Sequence, residues 1–462
     1  MPERSSECSQ LPFEIDHRID PGLVTAHAGM PLVLELFRRV GAAQVINDQV
    51  RIKQRQRGLT ASQLVETLIA LWVAGGDRCQ DLQTLRADAA LSTLVGYELP
   101  AATTMRDFLD GFHVADPPLW RAGEKAAIPE ESAPLAGVGA TNRRILTAVQ
   151  QHVPQRTATL DVDATILEAH KHTATMAYEG TRGYQPVVAV WAESDLIVHD
   201  EFRDGNVPAG CGNARILERA VANLPPGITQ IFVRGDSALY EQDVLAWCEE
   251  PERSIGYAIS ADMSPQLHAE ILQLPETAWQ LDRDEPAVTR EWAEVPYVPE
   301  DGDHRKDRPW VRRYLAVRVR RRQGELFADG STVKHFAIVT NREEKGLTLI
   351  RWHREKASTV EHAHHVLKNE LAAEALPSGK FSANAAWFRR NVLTYNLLSA
   401  LKRLALPGDL SEARPKRLRF LVFNTVGKVL HHARRTLVRL TSAAQQTLLA
   451  LARRKILALN TT

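Results

Sequence analysis

"IFVRGDSALY", residues 231–240, carries an apolar run, Ile231-Phe232-Val233, into Arg234-Gly235-Asp236 before apolar residues resume at Ala238. Read as a buried strand, it delivers a carboxylate at its carboxyl end, behind a glycine where the backbone can turn sharply. Open α/β sheets hold their chemistry at that end of the strands. A plain loop start explains the same residues, so the choice rests on the rest of the chain.

Upstream, "ATLDVDATIL" (158–167) alternates strictly. Leu160, Val162 and Ala164 share one face, and Asp161, Asp163 and Thr165 the other. "YQPVVAVWAE" and "LIVHDEF" are β-rich and closely spaced, which predicts antiparallel strands, and "ARILERAVANL" reads as an amphipathic helix with Asn213 as its cap. Three strands, a helix and a strand make an α/β order with a mixed sheet. From about 255 to 341, "IGYAISA", "RYLAVRVRRRQ" and "VKHFAIVTN" predict a β-rich insertion.

The flanks read as helical. "SQLVETLIALWVAG" has helical apolar spacing behind Thr60 and Ser62 and stops at Gly75-Gly76. "CQDLQTLRADAALSTLVG" repeats the pattern, and "TTMRDFLDGF" is a short helix behind Thr103. The stretch from Pro117 to Gly139 reads as a connector, and helices return from Ser358. The expected division is a helical region over 1–140, an α/β domain over 141–400, and a basic helical region over 401–462.

At 462 residues the chain exceeds one ordinary core, and 44% hydrophobic with 24% charged residues is a soluble globular composition. No apolar run is long enough for a membrane span, and the amino terminus lacks a signal-peptide core, so a cytoplasmic protein is expected. The four cysteines form no CxxC pair, which points away from zinc and disulfides. The net charge of +1 hides a segregation. Beyond residue 400, Lys and Arg dominate, among them Arg417, Arg419, Arg434 and Arg435, opposed only by Asp409 and Glu412. A second basic cluster runs from Arg305 to Arg322, and Arg51, Lys53, Arg55 and Arg57 alternate near Gly58. A polyanion partner accounts for such clusters, as does a solvated helix face.

Carboxylates at strand ends suit metal-assisted phosphoryl transfer, in which two divalent ions activate the attacking oxygen and stabilise the leaving one. Hard oxygen ligands favour magnesium. Asp163 and Asp236 are candidate neighbours. A third acid is expected from a later helix, and "KASTVEHAHHVLKNEL" offers Glu361 behind Ser358 and Thr359, which could cap that helix. Lys368 shares its face and could steady a scissile phosphate. Each residue alone reads more simply as structural, Asp161 especially. His362, His364 and His365 lack metal spacing and read as surface histidines.

"TLDVDAT", "VRGDSALY" and the block from "KASTVEHAHHVLKNEL" through "ANAAWFRRNVLTYNLLSALKRL" resemble the three catalytic blocks of bacterial insertion-sequence DDE transposases. The nearest resemblance is to the insertion sequence thirteen-eighty group of the insertion-sequence-four-like superfamily. It implies an α/β ribonuclease-H-like catalytic core with a β-rich insertion, flanked by helical amino- and carboxyl-terminal regions. It also implies binding of terminal inverted repeats, strand cleavage and strand transfer. The catalytic and metal residues would be Asp163, Asp236 and Glu361, with Lys368 beside them and two Mg2+ ions, for which Mn2+ can substitute. The partners would be double-stranded transposon and target DNA, held by a homodimer in the synaptic complex. Relatives carry a Tyr and an Arg shortly before the Glu, where this chain has Trp352, Arg354 and Lys356. Arg234, Arg354, Lys356, Arg417, Arg419, Arg434 and Arg435 are the expected DNA contacts. The alternatives are a repurposed, DNA-binding descendant and a structure-selective nuclease of the same fold.

Overall fold

The computed structural model describes residues 22–52, 57–115, 117–121, 126–171, 173–299, 312–321, 327 and 330–460. Helices α1 (Pro31–Arg39) and α2 (Ala61–Ala74) open it. Thr60 caps α2 through a reciprocal box with Gln63, and Gly75 ends it at φ 100°, a conformation glycine tolerates. α2 is apolar and buried on nearly every side, and its Trp72 meets Trp387 edge-on at 4.8 Å. The expected helix over 79–96 is broken at Asp88, whose side chain caps Ala89–Val95 instead. The expected connector is partly occupied by the 20-residue helix α3 (Ala133–His152). Lys53 and Arg55 lie outside the described residues, as does the basic run from Arg305 to Val311 together with Arg322.

The central sheet follows the strand and helix order read from the sequence. Strands β1 (Thr157–Ala164), β2 (Val187–Trp191) and β3 (Leu196–Glu201) are antiparallel. Helix α4 (Asn213–Ala222) then leads to β4 (Gln230–Gly235), which runs parallel to β1. Gly212, not Asn213, is the cap of α4. The buried Asn213 amide instead donates to the Ala209 and Ala238 carbonyls, at 3.1 and 2.8 Å. Helix α5 (Gln242–Cys248) precedes β5 (Gly256–Ala261), parallel to β4.

This last strand is "IGYAISA", which the sequence pattern assigns to the start of the insertion. It belongs to the central sheet. The inserted strands β6 (Gln280–Asp284), β7 (Val288–Val295), β8 (Arg313–Arg321) and β9 (Val333–Thr340) are antiparallel and extend the same sheet from β5. The order across nine strands is β6-β7-β8-β9-β5-β4-β1-β2-β3. The extension has a small core of its own, around Trp292, Leu315, Ile338 and Leu349.

Three helices follow: α6 (Gly346–Arg354), α7 (Val360–Glu370) and α8 (Phe381–Leu404). α8 and α3 cover β3, which would otherwise be an open edge. Asn396 on α8 accepts from the Ile197 amide at 2.7 Å and donates to the Ile197 carbonyl at 2.7 Å. Arg389 grips the buried Asp200 at 3.0 and 3.1 Å. These polar ties between apolar surfaces fix where α8 sits.

The basic segment expected as a helix beyond residue 414 is largely a hairpin, β10 (Gly427–His432) and β11 (Arg435–Leu440), before helix α9 (Ala443–Leu457). β10 also pairs with Val24–Thr25, and α9 packs on α1. The two ends of the chain therefore build one unit, and its apolar residues belong to the same core as the sheet. Among the described residues, no helix is long and apolar enough to cross a membrane.

Candidate active site

Parallel pairing sets Arg234 opposite Asp161 and Gly235 opposite Val162. The next step in that register brings Asp236, just past β4, beside Asp163 near the end of β1. Asp236 accepts a hydrogen bond from the Ala238 amide at 3.0 Å as the chain enters a single 3₁₀ turn. Gly235 leaves room for Leu239 and has no unusual φ: a Cβ there would lie 2.7 Å from Leu239 Cδ2, so that side chain would have to shift. Helix α7 packs over β1 and β2 and carries Glu361 in its first turn. Burial, then the charge of Asp236, pushes the Asp163 carboxyl up to about 6. Glu361 adds to that shift and Lys356 opposes it, so these four side chains share one electrostatic neighbourhood.

Beneath them lies a buried ionic network. Arg234 donates to both oxygens of Asp161, at 2.7 and 2.8 Å, and neither side chain is more than 2% exposed. Its remaining nitrogen donates to the Trp352 carbonyl at 2.6 Å and to Glu355 at 3.1 Å. Thr359, expected as a helix cap, turns its hydroxyl to Asp161 instead. Asp161, Arg234 and Thr359 each stand two residues before one of the acids Asp163, Asp236 and Glu361. One network thus ties together the three backbone segments that present the acids. His353 adds a brace: burial lowers its pKa to about 4, so the ring is neutral and Nε2 carries the proton donated to the Gly235 carbonyl at 2.9 Å.

Lys368 reaches the carboxyl end of β1, donating to the Ile166 carbonyl at 2.9 Å and pairing with Glu374 at 2.9 Å. It lines an open cleft of about 440 Å³ with Ala164, Thr165, Tyr178 and Gln185. A second open cleft of about 400 Å³ meets the first at Glu168 and Glu374 and runs on to Arg78, Arg106 and Lys171. His364 corrects the surface reading of the histidines. It is buried, its Nε2 is 3.8 Å from Asp163, and burial holds its pKa down at about 4. The sequence signal that could have found it is its place three residues after Glu361 on one helix.

Several expected DNA contacts have other employment. Arg234 is buried in the network just described and cannot reach DNA. Arg354 pairs, with Arg351, to Asp282 and so fastens α6 to the inserted strands. Arg419 donates to the carbonyls of Trp72 at 2.7 Å, Val73 at 3.1 Å and Glu370, clamping the carboxyl ends of α2 and α7. Arg417, Arg434 and Arg435 are exposed, the latter two at or beside the hairpin tip. Lys356 remains beside Asp163 and has no ion pair among the described residues.

Among the described residues, no three His, Cys, Asp or Glu side chains converge tightly enough to form a metal cage. The donor set nonetheless suits a hard divalent cation: three carboxylates in one neighbourhood, with Asp163 penalised by burial and by its acidic neighbours.

The family model described as "Transposase DDE domain group 1" matches residues 12–461. Among solved structures, the chain is similar to a piggyBac transposase in a synaptic complex with hairpin DNA. The identity is 9% and the TM-score 0.45, over 85% of this chain and 78% of that one. No curated protein matches it.

Proposed function

The chain belongs to the transposase DDE domain group 1 family, and on that premise we propose that it cleaves and rejoins the terminal inverted repeats of its own insertion sequence. We read the strand order β3-β2-β1-β4-β5 as a ribonuclease-H-like core extended by the inserted strands, and assign the element to the thirteen-eighty group. The observation that carries the reading is the register of β1 and β4, with α7 packed over β1 and β2. That arrangement supports Asp163, Asp236 and Glu361 as the catalytic acids.

These three residues would hold two magnesium ions, or manganese in their stead. Bound there, the metals would supply Lewis-acid stabilisation of the attacking and leaving oxygens. The protein's own work is positional. The Asp161–Arg234–Thr359 network fixes where the acids stand, Lys368 offers an ammonium to the scissile phosphate, and the charge of Lys356 offsets that of Asp163. Water then attacks the phosphodiester, and the freed 3′ hydroxyl attacks target DNA. Two ends must meet for transfer, so the working complex is at least a homodimer, acting on the nucleoid in the bacterial cytoplasm. The helical amino-terminal region contributes to end recognition and the exposed basic hairpin to backbone contacts.

The test begins with the DNA flanking the gene. Short inverted repeats should be present there, and in a gel-shift competition the protein should prefer them over random duplex. It should nick them in Mg2+ and not in EDTA. Absence of repeats, or binding without metal-dependent cleavage, overturns the reading in favour of a DNA-binding descendant.

A further inference from the structure

Helix α7 lays Glu361, His364 and Lys368 along one face, at spacings of three and four. The outer two already act at the end of β1: the charge of Glu361 reaches Asp163, and Lys368 donates to the Ile166 carbonyl. His364, between them, is 7% exposed, and neither of its ring nitrogens has a hydrogen-bond partner. Buried polar groups are nearly always satisfied, and leaving one unmatched is costly. A leucine would fill the same place without that cost. Packing alone therefore does not account for the ring.

Its surroundings do. Nε2 stands 3.8 Å from Oδ2 of Asp163, just beyond hydrogen-bond length. The other carboxylate oxygen, Oδ1, accepts from the Ala164 amide at 2.9 Å. That bond ties one oxygen to the backbone of β1 and leaves Oδ2 to be fixed from elsewhere. A proton on Nε2, donated to Oδ2, would bridge α7 and β1 directly. One bond would then set the rotation of the Asp163 carboxyl and its distance from the helix that carries Glu361.

We propose that His364 is a positioning residue that holds the Asp163 carboxylate, and its spacing from Glu361, in the geometry that binds the divalent cation. The inference rests on the proposed function, since it takes both acids as metal ligands. Partners of ligating carboxylates orient them, and losing such a partner typically weakens metal binding or activity about 10- to 100-fold.

The test measures Mn2+ bound by the full-length protein, from the loss of the free-ion electron paramagnetic resonance signal, beside single-turnover cleavage of end DNA. His364→Leu should bind Mn2+ about 10- to 100-fold more weakly than wild type and need correspondingly more metal for half-maximal cleavage. Its affinity for end DNA should not change. Glutamine puts its amide nitrogen near the place of Nε2, whereas asparagine puts its own near Nδ1, short of Asp163. His364→Gln should thus recover most of the metal affinity, and His364→Asn should not. A residue that merely packs would shift the melting temperature and leave the Mn2+ affinity of the folded protein alone. A His364→Leu protein with wild-type Mn2+ affinity overturns the proposal. Equal Mn2+ affinities for the Gln and Asn variants overturn it too, and that comparison holds even if leucine prevents folding. An Asp163→Asn control separates the two levels. If it binds Mn2+ and cuts as wild type does, the assignment of the acids fails and the role of His364 with it. If it has lost both while the His364 variants bind Mn2+ as wild type does, only the positioning role fails.

Discussion

Replacing Arg234 with Met tests whether the buried network holds the site together. Methionine keeps much of the length and apolar volume and deletes the charge. Asp161, fully buried, would then retain Thr359 but lose both charged hydrogen bonds. Breaking a buried pair from one side typically costs about 3–5 kcal/mol. That is a large share of the roughly 5–15 kcal/mol that holds a typical domain. The loss should shrink as pH falls, because a protonated Asp161 needs no counter-charge, and burial already pushes its carboxyl upward. Removing both partners together, as Asp161→Leu with Arg234→Met, leaves no orphaned charge and should recover much of the loss. Urea unfolding followed by tryptophan fluorescence at pH 8 and pH 5 reads all three proteins. An Arg234→Met protein within about 1 kcal/mol of wild type would refute the reasoning, and so would a double variant no more stable than the single one.

Asp163, held at about 6, is ionised at pH 8 at a cost to the fold. Because its folded pKa lies above the ordinary carboxyl value, wild type loses stability as pH rises through 6. Asp163→Asn should therefore melt higher than wild type at pH 8, with the gap closing between pH 6 and 4 in a thermal scan; a gap independent of pH would contradict the shift. Replacing Arg417, Arg434 and Arg435 by Ala should flatten the slope of log affinity against log salt by up to about 2.7 on specific and random duplex alike. Arg419→Ala should leave that slope unchanged and lower the melting temperature, since its guanidinium caps backbone carbonyls. A fragment starting near residue 145 should fail to fold in circular dichroism, because it cuts α3 and strips the amino-terminal helices from the shared core. A folded fragment would show that the helices are dispensable to the sheet.

The strands were legible because burial on one or both faces leaves a period in the sequence: strict alternation in "ATLDVDATIL", unbroken apolar runs around Val188 and Phe232. Asp163 and Asp236 stood out as acids at the ends of such patterns, Glu361 as an acid at the start of a later helix, and Lys368 by its spacing from Glu361. What no local pattern carries is the partner of a polar residue. Arg234 next to Asp236 reads as a DNA contact, and only the parallel register reveals that it faces Asp161. Arg419 likewise looks like part of a basic surface until α2 and α7 bring their carboxyl ends to it. The hairpin over 427–440 was missed because short apolar runs fit helix and strand alike, and its two-residue turn at Ala433 and Arg434, both at positive φ, lacks the Asn or Gly that usually signals it.

The central claim is that three acids on β1, after β4 and on α7 make one metal-dependent cleavage site. Its most direct test is single-turnover cleavage of the element's own end DNA in Mg2+ by wild type, Asp163→Asn, Asp236→Asn and Glu361→Gln, with binding measured on the same DNA. Each substitution removes one charge at nearly constant volume. The account predicts that all three bind the end as wild type does and cut it slower by orders of magnitude. Cleavage near the wild-type rate by any one of them would contradict the site as drawn.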